Sequence, residues 1–285
     1  MIIEKGSELK VLRNFCREPF EYFSIAELSK KTKISRNWMY KIIDKFKKAY
    51  LLLEYGKKYK LDFSNMFCQR LKFLFDAEFL DSLKMKNRIF DITNKIIFEL
   101  DPKSVILVGS VSQQKMKEGS DIDFLVIGSK KEVPYFENTN IIVVSEKGFK
   151  EKYLKADDFV ISALVFGKTI YDAGFFIRFY ENPLPVFSQE VIQEKIKYCE
   201  RLEERTYKLL KTDVEKAKEE LLYLALQSAR IILLKNKIIP KTKYDIASQI
   251  MVFNREFAEI INSLLRKKKI KKEKVLEYLE KFKNF

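Results

Sequence analysis

Asp121 and Asp123 are separated by one isoleucine at the head of an apolar run, Phe124 to Ile127. In a strand, residues i and i+2 project from the same face, so the two carboxylates would aim at one point while Ile122 turns into the core. Such a pair suits a divalent cation. Upstream, the apolar run Val105 to Val108 stops at Gly109-Ser110. A glycine turn ahead of a short helix offers free backbone N–H groups, and with the Ser110 hydroxyl it can hold phosphate oxygens beside the metal. Metal and phosphate together suggest nucleotide chemistry. The plainer alternative is an acidic turn between two core strands.

The composition narrows the chemistry further. The 285 residues include no histidine, so Ser-His and Cys-His nucleophilic catalysis, histidine acid–base work and His-ligated zinc all lack their central group. Catalysis must run on carboxylates, lysines, hydroxyls or a bound metal, and Mg²⁺ or Mn²⁺ on carboxylates is the natural choice. Cys16, Cys68 and Cys199 lie far apart in apolar helical patterns with no CxxC spacing, and are expected to be buried thiols. No apolar run approaches the length of a membrane span, and the first residues lack the apolar stretch of a signal peptide, so a cytoplasmic location without membrane contact is expected.

Gly109-Ser110, nine intervening residues, then Ser120-Asp121-Ile122-Asp123 and an apolar strand resembles the signature of the DNA polymerase β-type nucleotidyltransferase superfamily, in particular its minimal and kanamycin nucleotidyltransferase-like members. The resemblance implies a mixed-sheet core, an NTP substrate, Mg²⁺ (or Mn²⁺) on Asp121 and Asp123 as catalytic and metal-binding residues, and nucleotide contacts from Gly109, Ser110 and Ser120. Two departures stand out. Asn140 falls where the family carries a third carboxylate, and an amide cannot accept a proton as a base. Gln114 falls where the minimal enzymes usually have glycine. Glu137 and Glu146 are the nearby acidic substitutes.

The elements that must position these residues follow from periodicity. Apolar spacing predicts a helix over 7–17, a short extended piece at 23–25, helices over 26–31 and from Arg36 to about Lys48 capped by Ser35, and a hairpin around Gly56-Lys57-Lys58. This order resembles a winged helix-turn-helix. In that arrangement Arg36, Asn37 and Tyr40 would read double-stranded DNA, while Lys41, Lys45, Lys57 and Lys58 would contact phosphates. A winged helix used only for protein contact is the alternative. Net charge is +7 over residues 1–64, 0 over 65–185 and +8 over 186–285, so the basic N-terminal end agrees with nucleic acid. Helical patterns occupy 67–83 and 85–100, and Asn140 to Ser145 reads as a further strand.

Residues 186–285 read as helices throughout, with Ser188 and Asp213 as caps, and resemble the helical domain of HEPN proteins; the histidine of HEPN ribonucleases is absent. The expected fold is α+β and multidomain: a winged helix-turn-helix at 1–64, a connecting helix at 65–84, a nucleotidyltransferase core at 85–185 and a helical bundle at 186–285 that could form a homodimer. The expected activity is Mg-dependent transfer of NMP from an NTP to a hydroxyl acceptor. The competing expectation is a DNA-binding regulator whose core is a nucleotide sensor or an inert scaffold. A two-component toxin–antitoxin fusion is a third reading and rests only on the HEPN-like tail.

Overall fold

The computed structural model describes residues 3–115, 121–129, 134–266 and 270–282. It is a mixed α and β structure with two small sheets. Helix α1 spans Gly6–Arg17, β1 Phe23–Ser24, α2 Ile25–Thr32, α3 Arg36–Lys48, β2 Leu52–Tyr55 and β3 Lys58–Leu61. The three strands form an antiparallel sheet in the order β1-β3-β2. Ser24 and Glu27 form a reciprocal cap at the start of α2, and the Ser35 hydroxyl accepts from Trp38 N to start α3. Met39, Ile42, Ile43 and Phe46 fill the inward stripe of α3. Trp38 stays half-buried because its indole N–H donates to Ser7 Oγ at 3.0 Å, which leaves the inward position to Met39.

Helices α4 (Met66–Asp81) and α5 (Lys86–Leu100) lead into the second sheet. Its strands are β4 (Ser104–Val108), β5 (Ile122–Ile127), β6 (Thr139–Val144) and, after helices α6 (Glu146–Leu154) and α7 (Asp158–Phe166), β7 (Lys168–Asp172). The order is β6-β5-β4-β7, with β5 and β6 parallel and the other pairs antiparallel. Every residue of β4 is buried, as a central strand covered on both faces requires. The α5 stripe Ile89, Ile92, Ile96 and Leu100 packs with Val105, Leu107, Ile122, Phe124 and Val126. The 159–166 apolar run is thus helical, with Asp157 Oδ1 accepting from Phe159 N and Val160 N at its start, and the segment after it supplies an edge strand.

Helices α8 (Gln189–Leu209), α9 (Val214–Lys235), α10 (Lys243–Ile250), α11 (Arg255–Arg266) and α12 (Lys272–Phe282) share their own apolar core. Contacts divide the chain into two units, one running to Glu151 with Ala163–Leu184, the other made of Lys152–Ser162 and the residues from Pro185 on. This grouping joins stretches that lie apart in the sequence. Residues up to 64 share a unit with the four-stranded sheet because α1 packs on α4, and α4 packs on β7. Residues 152–162 group with the C-terminal helices, because buried Asp158 pairs with Lys195 at 2.6 Å and Arg230 at 3.0 Å. Those two cations outweigh the opposing cost of burial and hold the Asp158 carboxyl below its usual range. Among the described residues no helix is long and apolar enough to cross a membrane. Cys16, Cys68 and Cys199 are buried free thiols.

Candidate active site

Asp123 lies in β5 opposite Val108 of β4 and Asn140 of β6, and Asp121 directly precedes the strand. Ile122 between them is 1% exposed and belongs to the core under α5. Burying that one side chain fixes the pleat, and the pleat sends both acids to the other face. Their convergence is measurable through a shared neighbour: Asn140 Nδ2 donates to Asp123 Oδ1 at 3.0 Å and to Asp121 Oδ2 at 3.4 Å. Asp121 and Asn140 are exposed and Asp123 half-buried, so this corner of the sheet is open.

The turn after β4 completes the corner. Gly109 has φ +71°, and a Cβ built there would stand 2.1 Å from Asp123 Oδ2. The carboxylate therefore lies directly against the glycine, and no other residue type leaves it room. Ser112 Oγ donates to the Gly109 carbonyl at 2.9 Å, and the Ser110 carbonyl accepts from Lys115 N at 2.9 Å. These bonds hold a single 3₁₀ turn over Val111–Gln113. The Ser110 hydroxyl has no hydrogen-bond partner among the described residues. Gln114 sits at φ +55°, the left-handed conformation that glycine would adopt without strain.

Arg88 also shapes the corner: its guanidinium donates to the Glu137 carbonyl, and the next carbonyl, that of Asn138, accepts from Ile122 N at 3.1 Å. These bonds set where β6 begins and so where Asn140 stands. No local pattern could reveal Arg88, because its partner is 49 positions away.

The two carboxylates at the corner offer oxygen donors alone, while Asn140 turns its Nδ2 toward them as a hydrogen-bond donor. A hard cation such as Mg²⁺ is bound through one or two carboxylates and completes its shell with substrate phosphates and water, so these residues fit one. Neither Glu137 nor Glu146 joins them, and among the described residues no group of three Asp, Glu, Cys or His side chains could hold a metal. Ser120 lies outside the described residues.

The basic residues of the N-terminal region are divided. Arg36, Asn37, Tyr40 and Lys41 are exposed on α3, and Lys57 and Lys58 are exposed at the β2–β3 tip. Lys45 is not comparably available. Its ammonium is held by Glu8 at 3.1 Å and Glu4 at 3.3 Å, which outweigh desolvation and raise its pKa. The acids sit on or just before α1, and periodicity within α3 could not reveal them.

Residues 91–281 match the model of the nucleotidyltransferase domain family. A solved structure, that of a nucleotidyltransferase-like protein from Exiguobacterium sibiricum 255-15, is similar over 68% of this chain and 73% of that one, at 13% identity and a TM-score of 0.39. No curated protein matches the chain. With two thirds of its length inside that match, the chain belongs to the nucleotidyltransferase domain family, a membership that implies a nucleotide substrate and supports nucleotidyl transfer as its general function.

Proposed function

We propose that the chain transfers a nucleoside monophosphate from an NTP to a hydroxyl acceptor, releasing pyrophosphate, with Asp121 and Asp123 holding Mg²⁺ or Mn²⁺. The observation that carries this reading is the convergence of both carboxylates on one amide nitrogen beside a glycine that only an absent Cβ keeps clear. A cation held by Asp121 and Asp123 would supply charge neutralisation at the triphosphate and would polarise the α-phosphorus. The Gly109-Ser110 turn, through its backbone and the Ser110 hydroxyl, holds the outer phosphates and orients them. Asn140 keeps the two acids in register and can hydrogen-bond an acceptor hydroxyl, but it takes no proton from it. Rate enhancement then comes from positioning and electrostatics. Incubation with labelled NTPs and Mg²⁺ tests this: label transfer or pyrophosphate release by the wild type, lost in Asp121→Ala/Asp123→Ala, is expected. Wild-type turnover unaffected by the double change would remove the acids from the mechanism.

Asn140 also favours a second reading, in which the corner binds the Mg-nucleotide without turnover and acts as a sensor. Retained Mg-NTP binding with no product in any acceptor screen is its signature.

In both readings residues 1–64 act as a winged helix-turn-helix on double-stranded DNA, residues 85–185 as the nucleotide-handling core and 186–285 as a HEPN-like bundle. Exposed Arg36, Asn37 and Tyr40 would face base edges, with Lys41, Lys57 and Lys58 on phosphates. Duplex affinity of the full chain that falls steeply with salt is the expected result, and no binding at low salt would exclude it.

A further inference from the structure

A second cleft, of about 440 Å³, opens within the first unit, where α1, α4, the start of β7 and the 3₁₀ turn after Ser110 come together. That volume lies in the range of small-molecule sites, about 300–1,000 Å³. Lys168, the first residue of β7, lines it. Lys168 pairs with Leu107 of β4, and Leu107 pairs with Phe124 of β5, so these share one face of the sheet. Val108 and Asp123 form the adjacent pair and belong to the other face. The cleft is therefore distinct from the Asp121–Asp123 corner, although the turn that follows Ser110 reaches it through Gln113.

The charges around this cleft do not balance locally. Each of its three acids already has a cation: Asp76 is bonded by Lys72 at 2.5 Å, Glu78 by Arg13 at 2.8 Å and Glu18 by Lys31 at 2.5 Å. Asp76 also accepts from Thr169 N at 3.0 Å. Two lining cations are left over. Among the described residues, neither the Arg17 nor the Lys168 side chain makes an ion pair or hydrogen bond; the Lys168 ammonium lies 5.2 Å from the Phe79 ring centroid, and Asp76, already held by Lys72, attracts it from beyond ion-pair distance. The Gln113 side-chain amide, which also lines the cleft, has no hydrogen-bond partner among the described residues. A partly buried ammonium with no carboxylate in ion-pair contact is costly unless an anion visits it.

We propose that this cleft is a second anion site, for a phosphate or diphosphate group, with Lys168 and Arg17 as its cationic partners and the Gln113 amide as a donor. Occupancy would tie α1 of the N-terminal region to the turn that follows Ser110, so the anion would report to both. Burial, then repulsion by Lys72 and Arg17, pushes Lys168 down to about 8, with Asp76 opposing. The remaining charged lining groups, Arg13, Glu18 and Glu78, are paired as above, so binding should weaken as pH rises through about 8.

The test is calorimetric titration of the full chain, without divalent metal and at constant ionic strength, using inorganic phosphate, inorganic diphosphate and AMP as separate arms. Saturable binding at pH 7 is expected, weakened at least about tenfold in Lys168→Met and in Arg17→Gln, as loss of one charge-assisted bond implies. It should survive in Lys168→Arg and in Asp121→Ala/Asp123→Ala. Preference for AMP over the two inorganic ions would mark a nucleotide as the natural source, and the reverse a free ion. Absence of saturable binding by the wild type overturns the proposal. So does affinity unchanged in Arg17→Gln, an exposed position that leaves folding intact, or affinity lost only when Asp121 and Asp123 are replaced.

Discussion

Two corners of the first unit set their acids in different surroundings. At one, Asp121, exposed, and Asp123, half-buried, converge around the neutral amide of Asn140. At the other, where α4 meets β7, Asp76 is buried against Lys72, with the Lys168 side chain near by. Carboxylates brought together repel, and a cation or proton that joins them relieves the repulsion. A carboxylate buried against ammonium groups is a structural requirement, because removing it strands positive charge in the interior. In the proposed function the first arrangement serves a bound cation; the second serves stability. Acids in the same sheet region can thus be told apart by what surrounds them.

The largest effect separating the corners should come from Asp121→Ala/Asp123→Ala. Pyrophosphate release should fall by about four orders of magnitude, roughly 5 kcal/mol of barrier, while thermal unfolding shows a melting temperature unchanged or slightly raised. A large drop in melting temperature would make these acids structural after all. Asp76→Ala should behave in the opposite way, losing about 3–5 kcal/mol of stability in denaturant unfolding through an uncompensated buried Lys72. Loss of less than about 1 kcal/mol would erase the distinction.

Gly109→Ala joins the two kinds of effect. Its left-handed φ costs about 1–2 kcal/mol for any residue with a Cβ, and that Cβ must displace Asp123. Activity should fall with Asp123 still present, and wild-type turnover in this variant would detach the turn from the site. The smallest effect is on pH. Lys168 holds its proton less well folded, at about 8, than its ordinary 10.5, so its charge opposes folding below about 8. Stability from this group should therefore rise between those two values, and Lys168→Met should flatten that part of the unfolding profile. An unchanged profile would mean that Lys168 is solvated like any surface lysine.

The open corner was legible in the sequence because its geometry is local. One isoleucine between two acids, with apolar runs on both sides, fixes the pleat and the face. Ser35, Ser188 and Asp213 were legible as caps for the same reason, and each accepts from a backbone N–H inside the first turn of its helix. The buried corner was not legible. Lys72 and Asp76 have the i, i+4 spacing of an ordinary helix-surface pair, and the partners that enclose them come from far along the chain, among them Thr169 N, 93 positions from Asp76, and the Tyr180 ring. The grouping of 152–162 with the C-terminal helices depends likewise on Arg230, 72 positions from Asp158. The pattern of α3 assigns Lys45 to phosphate contact because its partners Glu4 and Glu8 lie outside that helix, before and within α1.

In the proposed function Asp121 and Asp123 together hold a divalent cation beside a nucleotide. Titration of Mn²⁺ into the full chain with a non-hydrolysable NTP, followed by electron paramagnetic resonance, tests it in either functional reading. One nucleotide-dependent Mn²⁺ per chain, absent in Asp121→Ala/Asp123→Ala, is the predicted result. Mn²⁺ binding of equal strength in both proteins, or none in the wild type, would contradict it.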